Sequence, residues 1–267
     1  MKKNKIAYLS FLLLGVLTLF NSCEDIIDIN LNNANPNVVI EANVVNNGLQ
    51  TVKVTKTKSF NDNNTAVSIN GANISVTEEG GSTYTFTEQA NLLGNYYSNQ
   101  FVGKPGKKYT IKVNINGKIY TANSTMPQPV KLDSISVTEL TFFTNKRKYL
   151  QVHYKDPAKI ANQYNYVLNI NGEIRNAYYV DSDRFNDGNN VTNTIFNSDP
   201  EIKSGDKITL DFQCIDELIY RYFFAISQIA GNGGPPTSPA NPDSNFDNGA
   251  LGYFSAHTSQ KVSATVK

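Results

Sequence analysis

The strongest fold signal in the sequence is the stretch PGKKYTIKVNINGKIYTA, residues 105–122. Apolar and polar residues alternate on both sides of Asn116-Gly117, a dipeptide that favours a two-residue turn between antiparallel strands. The stretch therefore predicts a β-hairpin.

Tyr109 opens the first strand of this hairpin, directly after the Pro105-Gly106 turn. A Tyr in this place resembles the tyrosine corner of immunoglobulin-like and fibronectin type III modules, in which the hydroxyl bonds to upstream backbone. The alternative is a half-buried strand Tyr without that bond. Both interpretations keep the strand.

Short alternating segments continue on both sides of the hairpin, at a spacing of about ten residues. They cover residues 38–45, 52–55, 74–76, 84–86, 132–137, 150–154, 164–170 and 208–214, with two closing strands at 252–255 and 261–267. Closely spaced strands with few helices predict a mainly β chain built as a β-sandwich.

A Pro-rich break divides this strand series. Met126-Pro127-Gln128-Pro129 interrupts the alternation, because Pro cannot donate to a strand ladder. The pattern predicts two tandem immunoglobulin/fibronectin-like β-sandwich modules, residues 37–126 and 127–267.

One α-helix is predicted inside the second module, at about residues 216–230. Asp216 is a suitable N-cap, apolar residues recur at helical spacing after it, and Gly231 is a suitable end. Its many aromatic residues predict packing against the sheet.

Residues 1–22 have the pattern of an export signal. Three Lys precede an apolar stretch of about fifteen residues, which is shorter than the roughly 20 of a transmembrane helix. The small Ser22 precedes Cys23, which resembles a bacterial lipoprotein signal. The pattern predicts cleavage before Cys23, its acylation and a flexible tether over residues 23–36. The alternative is an ordinary secretory signal with an incidental Cys.

Acidic residues after Cys23 predict the location to which the protein is exported. Glu24, Asp25 and Asp28 resemble the signal that exports Bacteroidota lipoproteins to the outer face of the outer membrane. The alternative is a solvated tether whose charges carry no signal. The predicted location is the outer membrane, facing the exterior, with membrane contact through the acyl chains.

Composition excludes several classes of protein. Lys and Arg number 24 against 23 Asp and Glu, so no basic face for nucleic acid is expected. Two His and two Cys are too few for dense metal sites or a disulfide scaffold. With Cys23 acylated, Cys214 has no intrachain disulfide partner. Its alternation with Leu210 and Phe212 predicts a buried core thiol.

Motifs that carry catalysis are missing from the sequence. It contains no His-Glu-x-x-His, nucleophile elbow, Walker-type loop or dinucleotide turn. His153 is interpreted as an exposed strand residue, and His257 has no acidic neighbour in sequence. The prediction is a non-enzymatic protein without a cofactor. The alternative is a hydrolase whose site is assembled from distant residues.

Acidic and amide residues cluster around Gly188 in the segment from Asp181 to Asn190. Aligning Gly188 with the glycine of a calcium loop makes Asp183 and Asp187 ligands, but Thr194 then replaces the bidentate Glu. The sequence favours a polar solvent loop with no bound metal. The alternative is a weak Ca²⁺ site at Asp183 and Asp187.

Several motifs occur in an order that resembles a known family. They are Cys23 to Leu31, Tyr109 to Val113, Tyr120 to Ala122, Met126 to Ile135, Asp181 to Gly188, Pro239 to Asn245 and Gly249 to Ala256. Together they resemble the Bacteroidota lipoproteins of domain-of-unknown-function family 4249. The resemblance implies an exported, lipidated, β-rich protein, often found beside TonB-dependent receptors, and it implies no known activity or catalytic residues.

The function predicted from these features is a non-catalytic binding or accessory module beside a TonB-dependent transporter. The alternative is an adhesion or envelope-structural protein without a small-molecule ligand. Candidate contact residues are Asp181, Asp183, Asp187, Asn245 and Tyr253, which lie in the loop-like segments. The stretch from Gly249 to Phe254 has a second interpretation, in which Gly serves turning and Tyr253 and Phe254 serve packing.

Overall fold

The computed structural model describes residues 36–58, 66–175, 178–197, 201–229 and 241–267. The predicted signal peptide, lipidated Cys23, tether up to residue 35, export signal and helix end at Gly231 lie outside these ranges. Within them, no helix is long and apolar enough to cross a membrane.

The described chain is mainly β with one α-helix, which confirms the predicted class and agrees with a β-sandwich. The strands are β1 Val38–Val45, β2 Gln50–Lys56, β3 Val67–Ser68, β4 Asn73–Glu78, β5 Thr83–Thr85, β6 Thr87–Glu88, β7 Asn95–Ser98, β8 Lys108–Ile115, β9 Lys118–Thr125, β10 Leu132–Phe142, β11 Asn145–Lys155, β12 Gln163–Ile170, β13 Glu173–Ile174, β14 Tyr179–Ser182, β15 Asn190–Ile195, β16 Lys207–Ile215 and β17 Leu251–Thr265. A short 3-10 helix spans Asp183–Phe185, and α1 spans Glu217–Ile229.

Three sheets are formed by these strands. The largest has ten strands, with the order β13-β12-β16-β17-β1-β2-β7-β6, β14 beside β12 and β3 beside β2. A four-stranded sheet has the order β5-β4-β8-β9, and a three-stranded sheet has the order β10-β11-β15. Each smaller sheet covers one half of the large sheet, because its apolar residues share a core with that half.

The hairpin predicted from residues 105–122 is confirmed as β8 and β9. Ile115 pairs with Lys118 across the turn, in which Asn116 and Gly117 have φ angles of 51° and 87°. Both left-handed values belong to the turn type that matches strand twist.

The tyrosine corner is confirmed as well. Tyr109 is fully buried, and its hydroxyl accepts the backbone N–H of Lys104 at 2.7 Å. That bond joins the strand to the loop before it. The Lys104 ammonium in turn pairs with the buried Glu78 at 3.0 Å. The burial of Tyr109 excludes the half-buried alternative.

Two hydrophobic cores fill the space between the sheets. The first joins β1 and β2 of the large sheet to β4, β8 and β9, and it also takes Phe246, Ala250, Phe254 and Ala256 from the end of the chain. The second joins β12, β16 and the last part of β17 to β11 and β15. The division into domains at residue 126 stays a prediction.

A single strand, β17, closes the chain where two short strands were expected. Its first half pairs with β1 in parallel, from Leu251 to His257, and its second half pairs with β16 antiparallel, from Thr258 to Thr265. Two strands were expected because residues 256–260 lack an apolar alternation. That expectation was wrong, since these residues are paired and their polar side chains are buried inside a strand.

The predicted helix is confirmed as α1, with the expected cap. Asp216 Oδ1 accepts the N–H of Ile219 at 3.0 Å, which satisfies one free donor of the first turn. Its other carboxylate oxygen accepts the Ser124 hydroxyl and, at 3.3 Å, the Thr125 N–H of β9. The Asp216 carboxylate therefore connects the start of α1 to the β8–β9 hairpin.

Candidate functional site

A cavity of about 630 Å³ lies on the large sheet, on the face turned away from both cores. Alternation along β1, β2, β12, β16 and β17 puts the polar residues of these strands on that face. The turn between β1 and β2 and the segment before β14 form its sides. Its volume falls in the range of roughly 300–1,000 Å³ that is typical of small-molecule sites.

Buried polar side chains of β12, β16 and β17 form the floor of the cavity. The Asn165 amide donates to Gln213 Oε1 at 2.7 Å, and the Gln213 amide donates to Asp211 Oδ2 at 3.0 Å. The Ser259 hydroxyl donates to Asp211 Oδ1 at 2.6 Å. Asp211 is thereby held by two internal donors, which makes the floor a connected and rigid network.

His257 lies beside this network on β17 and is only 5% exposed. Its Nδ1 is 2.9 Å from the hydroxyl oxygen of Ser255, which is also buried. Burial lowers the pKa of His257 to about 4, although the Asp211 carboxylate acts in the opposite direction. The imidazole is therefore neutral near pH 7, with one nitrogen donating and one accepting.

This burial predicts a pH-dependent stability. An unfolded His takes up its proton near pH 6.5, whereas folded His257 stays neutral down to about pH 4. The stabilisation from His257 is complete above pH 6.5 and is lost as the pH falls to about 4, by about 3 kcal/mol. We expect urea denaturation to show a steeper loss over this interval for the native chain than for His257→Gln. An equal loss of stability in the two chains over this pH interval would contradict the prediction.

Aromatic rings from α1, from the segment before β14 and from β17 form one wall. Tyr178 stacks on Phe223 with centroids 5.5 Å apart, and Phe223 meets Tyr253 edge to face at 4.9 Å. Burial raises the pKa of Tyr178 and Tyr253, and it raises the pKa of the neighbouring Tyr222, whose ring centroid lies 5.3 Å from that of Tyr253, to about 12. The wall is therefore neutral and presents ring faces and hydroxyls.

Two cations lie at the rim. Lys261 is opposite Asp211 in the register of β17 and β16. Arg175 is 14% exposed, and its Nη1 is 3.5 Å from the exposed Glu173 carboxylate. Its Nη2 donates to the Ile170 carbonyl at 3.4 Å, while its buried Nε has no hydrogen-bond acceptor in the described part of the chain. A buried N–H without an acceptor costs about 1–3 kcal/mol.

The cavity contains the three residue types of a hydrolase catalytic triad, Ser255, His257 and Asp211, but their hydrogen bonds follow a different order. In such a triad the Ser hydroxyl contacts Nε2 of the His, and the Asp carboxylate accepts from Nδ1. Here Ser255 occupies Nδ1, and Asp211 accepts from Ser259 and Gln213. A His with a pKa of about 4 is also a weak base near pH 7. This arrangement does not activate Ser255.

The acidic loop contains a cluster that the sequence identified only in part. Asp156 joins Asp183 and Asp187, and one carboxylate oxygen of each lies within 4.8 Å of the others. Asp181 is outside the cluster. It lies half-buried on β14, where burial raises its pKa and its Oδ1 accepts the Ser182 N–H.

Hydrogen bonds occupy most of the carboxylate oxygens in this cluster. Asp156 accepts from the Tyr164 hydroxyl and from the Gly188 N–H, and burial raises its pKa. Asp183 accepts the Asn162 N–H at 2.8 Å, and Asp187 accepts the Lys159 N–H at 2.6 Å. The cluster therefore ties two turns together. Two of its oxygens accept no hydrogen bond within the described residues, whereas Ca²⁺ takes six to eight oxygen ligands, so a weak Ca²⁺ site remains the alternative to the predicted metal-free loop.

The remaining residues from the sequence have structural contacts. Asn245 bonds to the backbone of Phe254 through both ends of its amide, at 2.8 and 2.9 Å. Cys214 is a buried free thiol, as predicted, and its sulfur accepts the Val130 N–H. His153 is half-buried between Ser136 and Thr192, to which it is hydrogen-bonded.

Of the five candidate contact residues, Tyr253 lines the cavity. Sequence reasoning missed the floor and the rim, which are formed by Asn165, Arg175, Asp211, Gln213, Ser255, His257 and Ser259. One signal for the floor was present. Polar residues fill alternate positions of β16, opposite the apolar ones, but only the register shows that they meet Ser259 and Lys261 of β17.

The fold and the cavity define a β-sandwich protein with a polar site of small-molecule size. Over residues 24–263 the sequence matches the family model described as "Domain of unknown function (DUF4249)". The chain belongs to this family. A comparison with curated proteins finds no match.

Proposed function

We propose that this protein is a non-catalytic binding module. In this proposal Cys23 anchors it to the outer membrane, the chain faces the exterior, and it serves as an accessory to a TonB-dependent transporter. The resemblance stated above and the export pattern of residues 1–28 support this placement.

The cavity on the large sheet is the observation that carries the proposal. Its floor is made of neutral hydrogen-bonding groups, and its one carboxylate, Asp211, is held by Ser259 and Gln213. Such a surface binds a polar ligand without supplying a strong base or an activated nucleophile. Capture followed by transfer to a neighbouring transporter suits a site of this kind.

Affinity purification of the full chain with a C-terminal tag, from gently solubilised outer membrane, tests this function. We expect a TonB-dependent receptor close to stoichiometry with the native chain. The control Cys23→Ala identifies proteins that copurify only through a shared membrane. Recovery of the chain without any receptor would contradict the accessory role.

An exposed aromatic patch favours adhesion as the second candidate function. Phe143 at the tip of the β10–β11 hairpin is fully exposed, and Phe142 and Phe196 are 48% and 60% exposed. Apolar groups grouped in this way mark contact sites between proteins. Binding to a host matrix that Phe143→Ser abolishes, without a receptor in the purification, would support this candidate.

A further inference from the structure

We infer that the cavity on the large sheet binds a sugar ring that carries a carboxylate, as in a uronic acid. The inference deepens the proposed binding function and rests on it. It assigns a role to three features of the cavity: the mixed polar floor, the aromatic wall and the guanidinium of Arg175 at the rim.

The floor offers both donors and acceptors at close spacing. Asn165 and Gln213 each carry an amide N–H and a carbonyl oxygen, and neutral His257 has one nitrogen of each kind. Within the described residues, His257 Nε2 makes no hydrogen bond. A sugar hydroxyl donates one bond and accepts others, so neighbouring hydroxyls match a floor of this composition.

The wall matches the other side of a sugar ring. Tyr178 and Tyr253 line the cavity together with Phe223, and all three side chains are neutral, although the Glu41 carboxylate lies near both Tyr hydroxyls. The C–H face of a sugar is apolar, and it packs on an aromatic ring while the hydroxyls at its edge reach the floor. An elongated apolar ligand would instead leave the floor unsatisfied.

The rim supplies the preference for a negative charge. The buried Nε–H of Arg175 has no acceptor among the described residues, and the Nη1 contact with the exposed Glu173 carboxylate is long, at 3.5 Å. A carboxylate on the ligand would replace Glu173 as the acceptor at Nη1, in the charge-assisted pairing that guanidinium favours. Lys261 adds a second positive charge on the same cavity, whereas Asp211 already receives two internal donors.

Calorimetric titration of the purified full chain in detergent tests the inference. The ligands are galacturonate and glucuronate, with galactose and glucose as their neutral counterparts. We expect at least one acidic sugar to bind about tenfold or more tightly than its neutral counterpart, because only the acidic sugar pairs with Arg175.

Two variants separate the roles of rim and floor. Arg175→Gln is expected to remove the preference for the acidic sugar, so that acidic and neutral sugars bind with equal affinity. Asn165→Ala is expected to weaken acidic and neutral sugars by the same factor. The control Arg221→Gln removes an exposed guanidinium on α1, paired with Glu217, and should change neither affinity. Denaturation midpoints verify that each variant is folded.

Three results would overturn the inference. They are the absence of binding by all acidic sugars at millimolar concentration, equal affinity for acidic and neutral sugars, and equal affinity for lactate or succinate, which carry the carboxylate without the ring. None of these results bears on receptor recovery from membranes. Failure of the sugar site is therefore distinguishable from failure of the accessory role.

Discussion

Replacing Gly252 with Ala should destabilise the protein by at least about 3 kcal/mol. Gly252 has a φ of +93° and lies opposite Ile40 in the parallel pair of β17 and β1. A Cβ at this position would lie 2.0 Å from the Ile40 carbonyl oxygen and 2.7 Å from its carbon. Both contacts are to backbone, so the two strands must separate. Urea denaturation of the full chain measures the loss.

Gly249→Ala is the matched control. Gly249 also has a positive φ, +75°, but an added Cβ there would meet nothing within 4 Å. It should cost about 1 kcal/mol, from backbone strain alone. Similar losses for the two variants would show that the close approach of β1 and β17 is not what requires Gly252.

Phe212→Ala should have an effect of comparable size, about 4 kcal/mol. Phe212 is fully buried in the second core, and its ring centroid lies 5.0 Å from that of Tyr154 and 5.3 Å from that of Tyr164. Removing the ring leaves a cavity between rigid aromatic neighbours, two of which bond to each other through their hydroxyls, Tyr154 and Tyr166. They cannot collapse into the space without losing that bond.

The measurement is the free energy of unfolding of Phe212→Ala, obtained by denaturation, and the control is that of Phe143→Ala. Phe143 is fully exposed at a hairpin tip, so its truncation removes no buried surface and should change stability by less than about 0.5 kcal/mol. A small effect at Phe212 would mean that the second core is loosely packed. That would contradict the buried aromatic cluster.

Few residues of the candidate site could be predicted from the sequence. Tyr253 was identified because it stands in a conspicuous segment, and it lines the cavity. No acidic residue is near His257 in sequence, yet Asp211 is close enough across β16 and β17 to affect its pKa. Arg175 belongs to no recognisable sequence motif, and only its burial in the structure distinguishes it from the exposed Lys and Arg side chains.

The acidic loop shows the same limit. Asp183 and Asp187 were selected by their spacing around Gly188, and the structure does bring them together. Asp156, more than twenty residues earlier, completes the cluster because β11 ends beside this loop. Spacing along the chain cannot identify a residue that arrives from another strand.

Local pattern by itself determined most of the longer strands, the Asn116-Gly117 turn, the capped start of the helix and the side of those strands that faces a core. These features depend on the alternation of neighbouring residues and on turn chemistry, which act within a few positions. The tertiary structure alone decided that β17 runs through both halves of the large sheet and that Asn165, Asp211 and His257 share one cavity. Strand partners and register are set by long-range packing between distant segments, and no short stretch of sequence contains that information.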